Sequence, residues 1–498
     1  MVKVIILLYM VVVLAIGYWA SKKTKNSDDF YAAGKGLGII AISMASFSAA
    51  ISGFVFVGGP GLFTKIGMGS LWLTLPTSAS FAMAWIIMSK RMRLLAEAKE
   101  CITAPDAMYA RFGCNKTRLL ATIATMVGLL LYLATQISAL GFIIGPLFNI
   151  DFKVAVVIGM LIVVIYSVAG GMLAGVYTDV FQGAMMAIAS IFIVIYAIKQ
   201  GGGMGIMTDM IVGVDGGAKI VNPWGVISPM LAMSWFFVLG IGIVGQPHVI
   251  HKFYMVKDIN KLRWGPAVAA IPAMLGGMFW IMIGYFIKAK ASSGQLPPQA
   301  LELLNSNADN TVVIFLNNYA PKVIAGMVYA GIVSAVMSTA DSFINIVSAC
   351  IVKDIPAVFN KKLDNKKELA YGRITVVILS ILTILISFTA GTKGIAVLGA
   401  FGWGTFAAAL APAFGIGLNW KRATKQGAFW SILVGLCGNV IFEVGSKLGA
   451  SWYVQYIKPL GIYNGALWMA ISGIIFIGVS FMTSNEKIDD KVEACMDA

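Results

Sequence analysis

Residues 334–348 read Ser334-Ala335-Val336-Met337-Ser338-Thr339-Ala340-Asp341-Ser342-Phe343-Ile344-Asn345-Ile346-Val347-Ser348. Polar residues recur at Ser334, Ser338, Asp341, Asn345 and Ser348, with Ser342 beside Asp341. Steps of three and four return to one side of an α-helix. The spacing therefore predicts an apolar helix with a single face of hydroxyls, an amide and a carboxylate. At membrane depth a carboxylate is expensive and persists only when paired, protonated or bound to a cation. Serines alone could be glue between helices; Asp341 argues for more than glue.

The surrounding chain places this helix in a membrane. Of 498 residues, 59% are hydrophobic and 12% charged, against about 25% charged in a soluble domain. Mean hydropathy is +0.85. This excludes a water-soluble enzyme, a secreted disulfide scaffold and a disordered chain. Thirteen apolar spans are expected, near 2–20, 38–64, 70–89, 117–145, 152–172, 177–199, 225–247, 264–287, 324–350, 370–390, 395–418, 427–445 and 463–483. The first has the wrong flanks for a signal peptide, since Lys22, Lys23 and Lys25 follow it. The net charge of +15 reads as topology, not nucleic-acid binding, because Lys and Arg sit in short runs between spans. Most of them fall inside, including Lys90 to Arg118, Lys252 to Arg263 and Lys353 to Arg373, if the N-terminus is outside and the C-terminus cytoplasmic. The expected location is a bacterial or archaeal inner membrane. No connection is long enough for a soluble domain. The largest, about 288–323, is expected to hold a short surface helix. Five cysteines show no CxxC pairing, and His248 and His251 cannot build a metal site alone.

Backbone in hydrocarbon must satisfy its own hydrogen bonds, so a broken helix there lines protein or a cavity. The second span carries Ser46, Ser48, Ser52 and Gly53, then Gly58-Gly59-Pro60-Gly61; the seventh carries Gly240, Gly242, Gly245 and Pro247. Both read as discontinuous helices, although packing glycines would look alike. Five spans separate them, as expected of two inverted repeats that each begin with a broken helix. The GxGxxG at Gly240–Gly245 follows no strand and is not a nucleotide loop. Hydroxyls and freed carbonyls suit a weak, reversible sodium site, and Ser338 and Thr339 facing a break near Ser48–Ile51 would supply them. Asp179 is either part of that polar path or a solvated carboxylate at a helix start. Glu443 is expected at the interface.

At these residues the chain resembles the sodium:solute symporter family. Tyr166-Ser167-Val168-Ala169-Gly170-Gly171-Met172-Leu173-Ala174, followed by Thr178-Asp179, is similar to its signature. Ser52-Gly53 through Gly61, Gly245-Gln246-Pro247-His248, Ala335-Val336-Met337-Ser338-Thr339 and Asn419-Trp420-Lys421-Arg422 resemble the first, sixth, eighth and tenth core helices of its sodium/proline branch. The resemblance implies an all-α polytopic fold of the LeuT type, with a 5+5 inverted repeat. Its parts would be an extra N-terminal helix and loop (1–37), repeat one (38–199), repeat two (225–418), and two C-terminal helices with a short tail (419–498).

The same resemblance implies a sodium site. Ser48, Ile51 and Ala335 would offer carbonyls, and Ser338 and Thr339 hydroxyls. Some members carry a second site, matching Asp179, Ser338, Asp341 and Ser342; here Asp341 replaces a serine, which makes it a candidate second cation or proton site. By position the solute pocket draws on Ser52, Gly53, Phe54, Tyr132, Gln136, Leu239, Ile243, Phe401, Trp403 and Phe406. The branch has an Asp at Ala50 and aromatic residues at Leu239 and Ile243, and these departures argue against proline as the solute. The expected function is sodium-coupled import of a small polar organic solute, such as an amino acid or monocarboxylate, by alternating access. Sodium is the coupling ion and membrane lipid the surroundings, with no nucleic-acid partner and no enzymatic activity. The alternative is a proton-coupled or mixed-ion transporter that titrates Asp341. A channel or a membrane-embedded enzyme is disfavoured: no repeated filter, HExxH or GxSxG is present.

Overall fold

The computed structural model describes residues 1–390, 395–484 and 487–497. Its named elements are α1 Val2–Ser21, α2 Ile39–Ala50, α3 Gly59–Ile66, α4 Leu71–Ala84, α5 Asn115–Phe148, α6 Phe152–Gln200, α7 Pro229–Gly240, α8 Pro247–Ile250, α9 Gly265–Ser292, α10 Lys322–Ala349, α11 Asn365–Ala390, α12 Ile395–Ala409, α13 Lys425–Lys447, α14 Asn464–Met482 and α15 Asp490–Asp497. Among the described residues no strand forms, and one isolated bridge joins Leu37 and Val256. Among the described residues, nine helices are long and apolar enough to cross a membrane, or ten if the bent pair Pro229–Gly245 and Pro247–Met255 makes one span. Length and composition therefore do not yield the thirteen expected spans. Two long runs each break where a division was expected: α6, 49 residues long, at Gly171, and the 45-residue stretch Phe54–Ala98 at Gly67, with φ 66° and ψ −144°. The 12-residue α2 falls short of crossing length by itself. Residues 391–394, between the tenth and eleventh expected spans, lie outside the described residues.

Within α6, Gly171 has φ 55° and ψ −144°, so two helical pieces meet there. A side chain at this position would be strained and would strike the carbonyl oxygen of Phe30, 2.5 Å from an ideal Cβ. Asp179 consequently lies well inside the second piece and is wholly buried, not solvated at a helix start. Glu443, near the end of α13, is packed against protein at 7% exposure and accepts a 3.1 Å bond from Asn464 Nδ2. The 288–323 connection does contain a mostly exposed short helix, Pro298–Ser306.

The centre is α10, buried along nearly its whole length and packed most extensively on α6. Around it stand α2, α5 and α1. The polar face foreseen from residues 334–348 thus points into protein rather than lipid. The exposed apolar residues lie on the outer helices, such as Leu7, Leu8 and Val11 of α1 and Ile378, Ile381 and Leu385 of α11.

Both breaks have local causes. Helix α2 stops at Ala50 because Ile51 is extended (φ −85°, ψ 103°). The ladder donors that would have continued it are diverted. Gly53 N–H donates to Gln136 Oε1 at 2.8 Å, and Phe54 N–H to Ser52 Oγ at 3.2 Å. Ser52 also accepts from Val55 and Phe56 at its carbonyl, so it caps the next helical piece as serines do. At the second break Pro247 pushes the preceding Gln246 to φ −80°, ψ 107°. The two pieces then meet at 44°. Leu37 N–H to Met255 O (3.1 Å) and Lys257 N–H to Leu37 O (2.9 Å) tie the segment before α2 to the one after α8. The halves of the two broken helices nearest the basic runs are thereby joined into one piece.

Candidate functional site

A chain of hydrogen bonds crosses from the first break into the core. Ser48 Oγ donates to Ser338 Oγ at 2.7 Å, and Ser338 Oγ donates to Asp179 Oδ1 at 2.5 Å. The other oxygen, Asp179 Oδ2, takes an ion pair from Lys252 Nζ. All four side chains are wholly buried. Thr339 Oγ1 donates to the Ala335 carbonyl one turn back on α10 at 2.9 Å, the usual bond of a threonine inside a helix. Ser48 and Ile51 flank the end of α2, where the carbonyls of Ala49 and Ala50 have lost the helical donors Gly53 and Phe54 to side chains. Of the expected sodium set, the structure brings Ser48 to Ser338, with Ala335 and Thr339 within one turn of it on α10 and Ile51 at the break. Neutral oxygens with one buried carboxylate behind them fit a hard monovalent cation that must also leave.

Asp341 lies one turn further along α10. Its Oδ1 accepts from Ser167 Oγ, and from Asn345 Nδ2 at 2.9 Å. Its Oδ2 has no hydrogen-bond partner among the described residues, and neither does Ser342 Oγ. An ideal Cβ on Gly175 would lie 2.0 Å from Asp341 Oδ2, so this glycine makes room for the carboxylate. Tyr166 OH donates to the Met337 carbonyl at 3.2 Å. The signature-like run from Tyr166 onward thus shapes the contact with α10. A tyrosine and a serine hold that helix, Gly171 turns the chain, and Gly175 admits Asp341.

The expected solute residues divide. Ser52 Oγ and Tyr132 OH share a 2.7 Å bond, and Gln136 Oε1 holds the Gly53 N–H. Phe54, Tyr132, Leu239 and Trp403 line a cavity of about 20 Å³ together with Ala50 and Ile51. Solute pockets span roughly 300–1,000 Å³, so this cavity is too small to hold one as it stands. Ile243 is buried at the second break, where its carbonyl accepts from Gln246 N–H at 3.0 Å. Phe406 packs against His248, with ring centroids 6.2 Å apart. Phe401 is not brought to the cavity; its ring lies under Lys447 Nζ at 5.1 Å.

Five participants were missed in the sequence. Lys252 was counted among loop charges on the strength of its neighbours, yet it is wholly buried against Asp179. Ser167 and Gly175 support Asp341. Gln246 and His248 flank Pro247, and each carries two wholly buried side-chain atoms with no partner among the described residues. The His248 ring lies 4.7 Å from Phe343 and 6.3 Å from Trp403. The extended conformation forced by Pro247 was a usable signal for Gln246. Nothing in the spacing pointed to Lys252.

The geometry defines a helical membrane protein with two broken helices beside a line of wholly buried polar side chains. The chain belongs to the sodium:solute symporter family, whose model matches residues 30–435. It is 27% identical over 474 residues to the osmoregulated proline transporter OpuE of Bacillus subtilis, covering 94% of this chain and 92% of that one. It is 26% identical over 447 residues to the sodium/proline symporter of Escherichia coli, covering 89% and 87%. Among solved structures, a substrate-bound, outward-open Na+-coupled sialic acid symporter matches with a TM-score of 0.79 at 18% identity, over 98% of each chain. MhsT in complex with L-phenylalanine matches with a TM-score of 0.53 at 14% identity, over 89% of this chain and 98% of that one. The fold is thus of the LeuT type, the protein is an integral membrane symporter, and sodium is its coupling ion.

Proposed function

We propose that the protein imports a small polar organic solute by alternating access, driven by sodium entering from outside. The observation that carries this reading is the line from Ser48 through Ser338 to Asp179, which joins the break after α2 to α10 at wholly buried oxygens. Sodium held by the carbonyls of Ser48, Ile51 and Ala335 and the hydroxyls of Ser338 and Thr339 would pin α2 to α10. Solute would then bind beside the breaks, contacting Gln136, Gln246 and His248 with Trp403 and Phe406. Residues 38–199 and 225–418 would be the two inverted repeats, with the basic runs facing the cytoplasm. Inward opening would carry the joined halves near Leu37 and Met255 away from α10 and release sodium past Asp179. A potential of 100 mV supplies about 2.3 kcal/mol per charge, enough for roughly fifty-fold accumulation with one ion.

The solute is a small molecule with both donor and acceptor groups. Gln136 Nε2, both Gln246 side-chain atoms and both His248 nitrogens are buried and without partners among the described residues, and a solute would supply them. Proline is a candidate because curated relatives carry it, although Ala50, Leu239 and Ile243 depart from that branch. A thermal-shift screen of small amino acids, monocarboxylates and other polar solutes, with and without sodium, tests the reading. A substrate should stabilise the protein more when sodium is present. Uptake of that solute into proteoliposomes should then require an inward sodium gradient, and accumulation without one would refute the coupling. A second reading, proton or mixed-ion coupling through Asp341, is favoured by its unpartnered Oδ2; wild-type charge-to-solute ratios across pH in Asp341→Asn would dismiss it.

A further inference from the structure

We propose that Lys252 is a tethered cation that takes the place of a second coupling sodium ion, so that the chain binds one sodium where its oxygen atoms could hold two. The inference rests on the sodium-site reading of Ser338 given above. Asp179, Ser338, Asp341 and Ser342 are wholly buried side chains along the α6–α10 contact. Asp341 Oδ2 and Ser342 Oγ have no partner among the described residues. Oxygens of this kind, with two carboxylates, would suit a sodium ion. One carboxylate is already neutralised: Lys252 Nζ pairs with Asp179 Oδ2, while Asp179 Oδ1 accepts from Ser338. Both Asp179 oxygens are therefore engaged by the protein's own groups.

The position of Lys252 is peculiar to the second broken helix. It lies on the short helical stretch His251–Met255 that continues α8 past Pro247. A lysine ammonium is a compact point charge on a flexible stem, and burial without a counter-charge would be prohibitive. Asp179 is the partner that makes its burial tolerable, and the reverse also holds. A sodium ion at Asp179 would have to share that carboxylate with a fixed positive charge. The ammonium also lies on the element that must withdraw when the pocket opens toward the basic end. In the closed arrangement it fills the cation's role at Asp179; on withdrawal it would leave Asp179 free to receive the departing sodium ion from Ser338. The coupling ion and the lysine would then use Asp179 in turn.

The probe is sodium alone, since the solute is unidentified. Equilibrium binding of radioactive sodium to the purified full chain should give one ion per chain for wild type and two for Lys252→Met. Lys252→Arg keeps a tethered charge and should stay at one. The double variant Asp179→Asn/Lys252→Met removes both charges and should also stay at one, and it guards against misfolding caused by an uncompensated carboxylate. Wild type binding two ions would overturn the proposal without any variant. One ion bound by a folded Lys252→Met would overturn it while leaving the Ser338 cage intact. Wild type binding no sodium would instead overturn the cage, and the role of Lys252 with it.

Discussion

The two broken helices differ in how their polar groups are satisfied. At the first break the protein supplies partners to the backbone: Gln136 holds the Gly53 N–H, Ser52 caps Phe54, and Ser48 engages Ser338, while Gln136 Nε2 has no partner among the described residues. At the second, the side chains of Gln246 and His248 have no partners among the described residues. Buried polar atoms are almost always paired, so an unpaired cluster points to something that comes and goes. The first break reads as a permanent frame with carbonyls turned over to an ion, and the second as the half that waits for a solute.

The sharpest way to break the contrast is at the cation. Ser338→Ala with Thr339→Ala removes two hydroxyls from the proposed cage. Contacts to charged groups contribute about 1.5–3 kcal/mol each, so with two hydroxyls removed the sodium concentration giving half-maximal thermal stabilisation should rise by roughly a hundred-fold or more. An unchanged midpoint would show that sodium does not sit there. Next is Gly175→Ala, whose methyl would meet Asp341 Oδ2 at 2.0 Å. Overpacking of this kind costs about 1–3 kcal/mol and should lower the melting temperature, whereas Gly205→Ala, with no atom within 4 Å, should not. Equal effects of the two substitutions would mean that Gly175 is not shaped around the carboxylate.

Gln136→Leu should cost about 1–3 kcal/mol, because the Gly53 N–H would be left buried without an acceptor. Chemical denaturation in the absence of solute measures it. A loss below about 0.5 kcal/mol, the scale of a neutral surface change, would mean that the break finds another acceptor and that Gln136 is not part of its frame.

Much of this arrangement was legible in the sequence for a physical reason. A helix in a bilayer advertises polar residues by their cost, so the face from Ser334 to Ser348 stood out and is buried as its period required. Prolines and serines also leave local marks, which is why Pro247 and Ser52 lie at the breaks. What escaped were pairings fixed only in three dimensions. Lys252 stands in sequence beside Lys257, Lys261 and Arg263, which follow it into the basic run, and its partner is 73 residues away. Gly175 is one glycine among 54, and only the approach of Asp341 gives it a role. The divisions expected between the second and third spans and between the fifth and sixth fall at Gly67 and Gly171, where a positive φ ends one helical piece and begins the next.

Gln246→Leu should have the smallest effect on the protein alone and separates the two breaks most directly. The substitution removes two buried polar atoms that bond to nothing in the described residues. Replacing such groups by an apolar side chain of similar length is neutral or mildly stabilising, so unfolding without solute should shift by less than about 0.5 kcal/mol. Sodium-dependent stabilisation should also persist, since the cage belongs to the other break. What should vanish is the extra stabilisation by whichever solute the screen identifies. If Gln246→Leu instead destabilised the solute-free protein as much as Gln136→Leu, both amides would be structural caps, and the solute would have to be sought away from the second break.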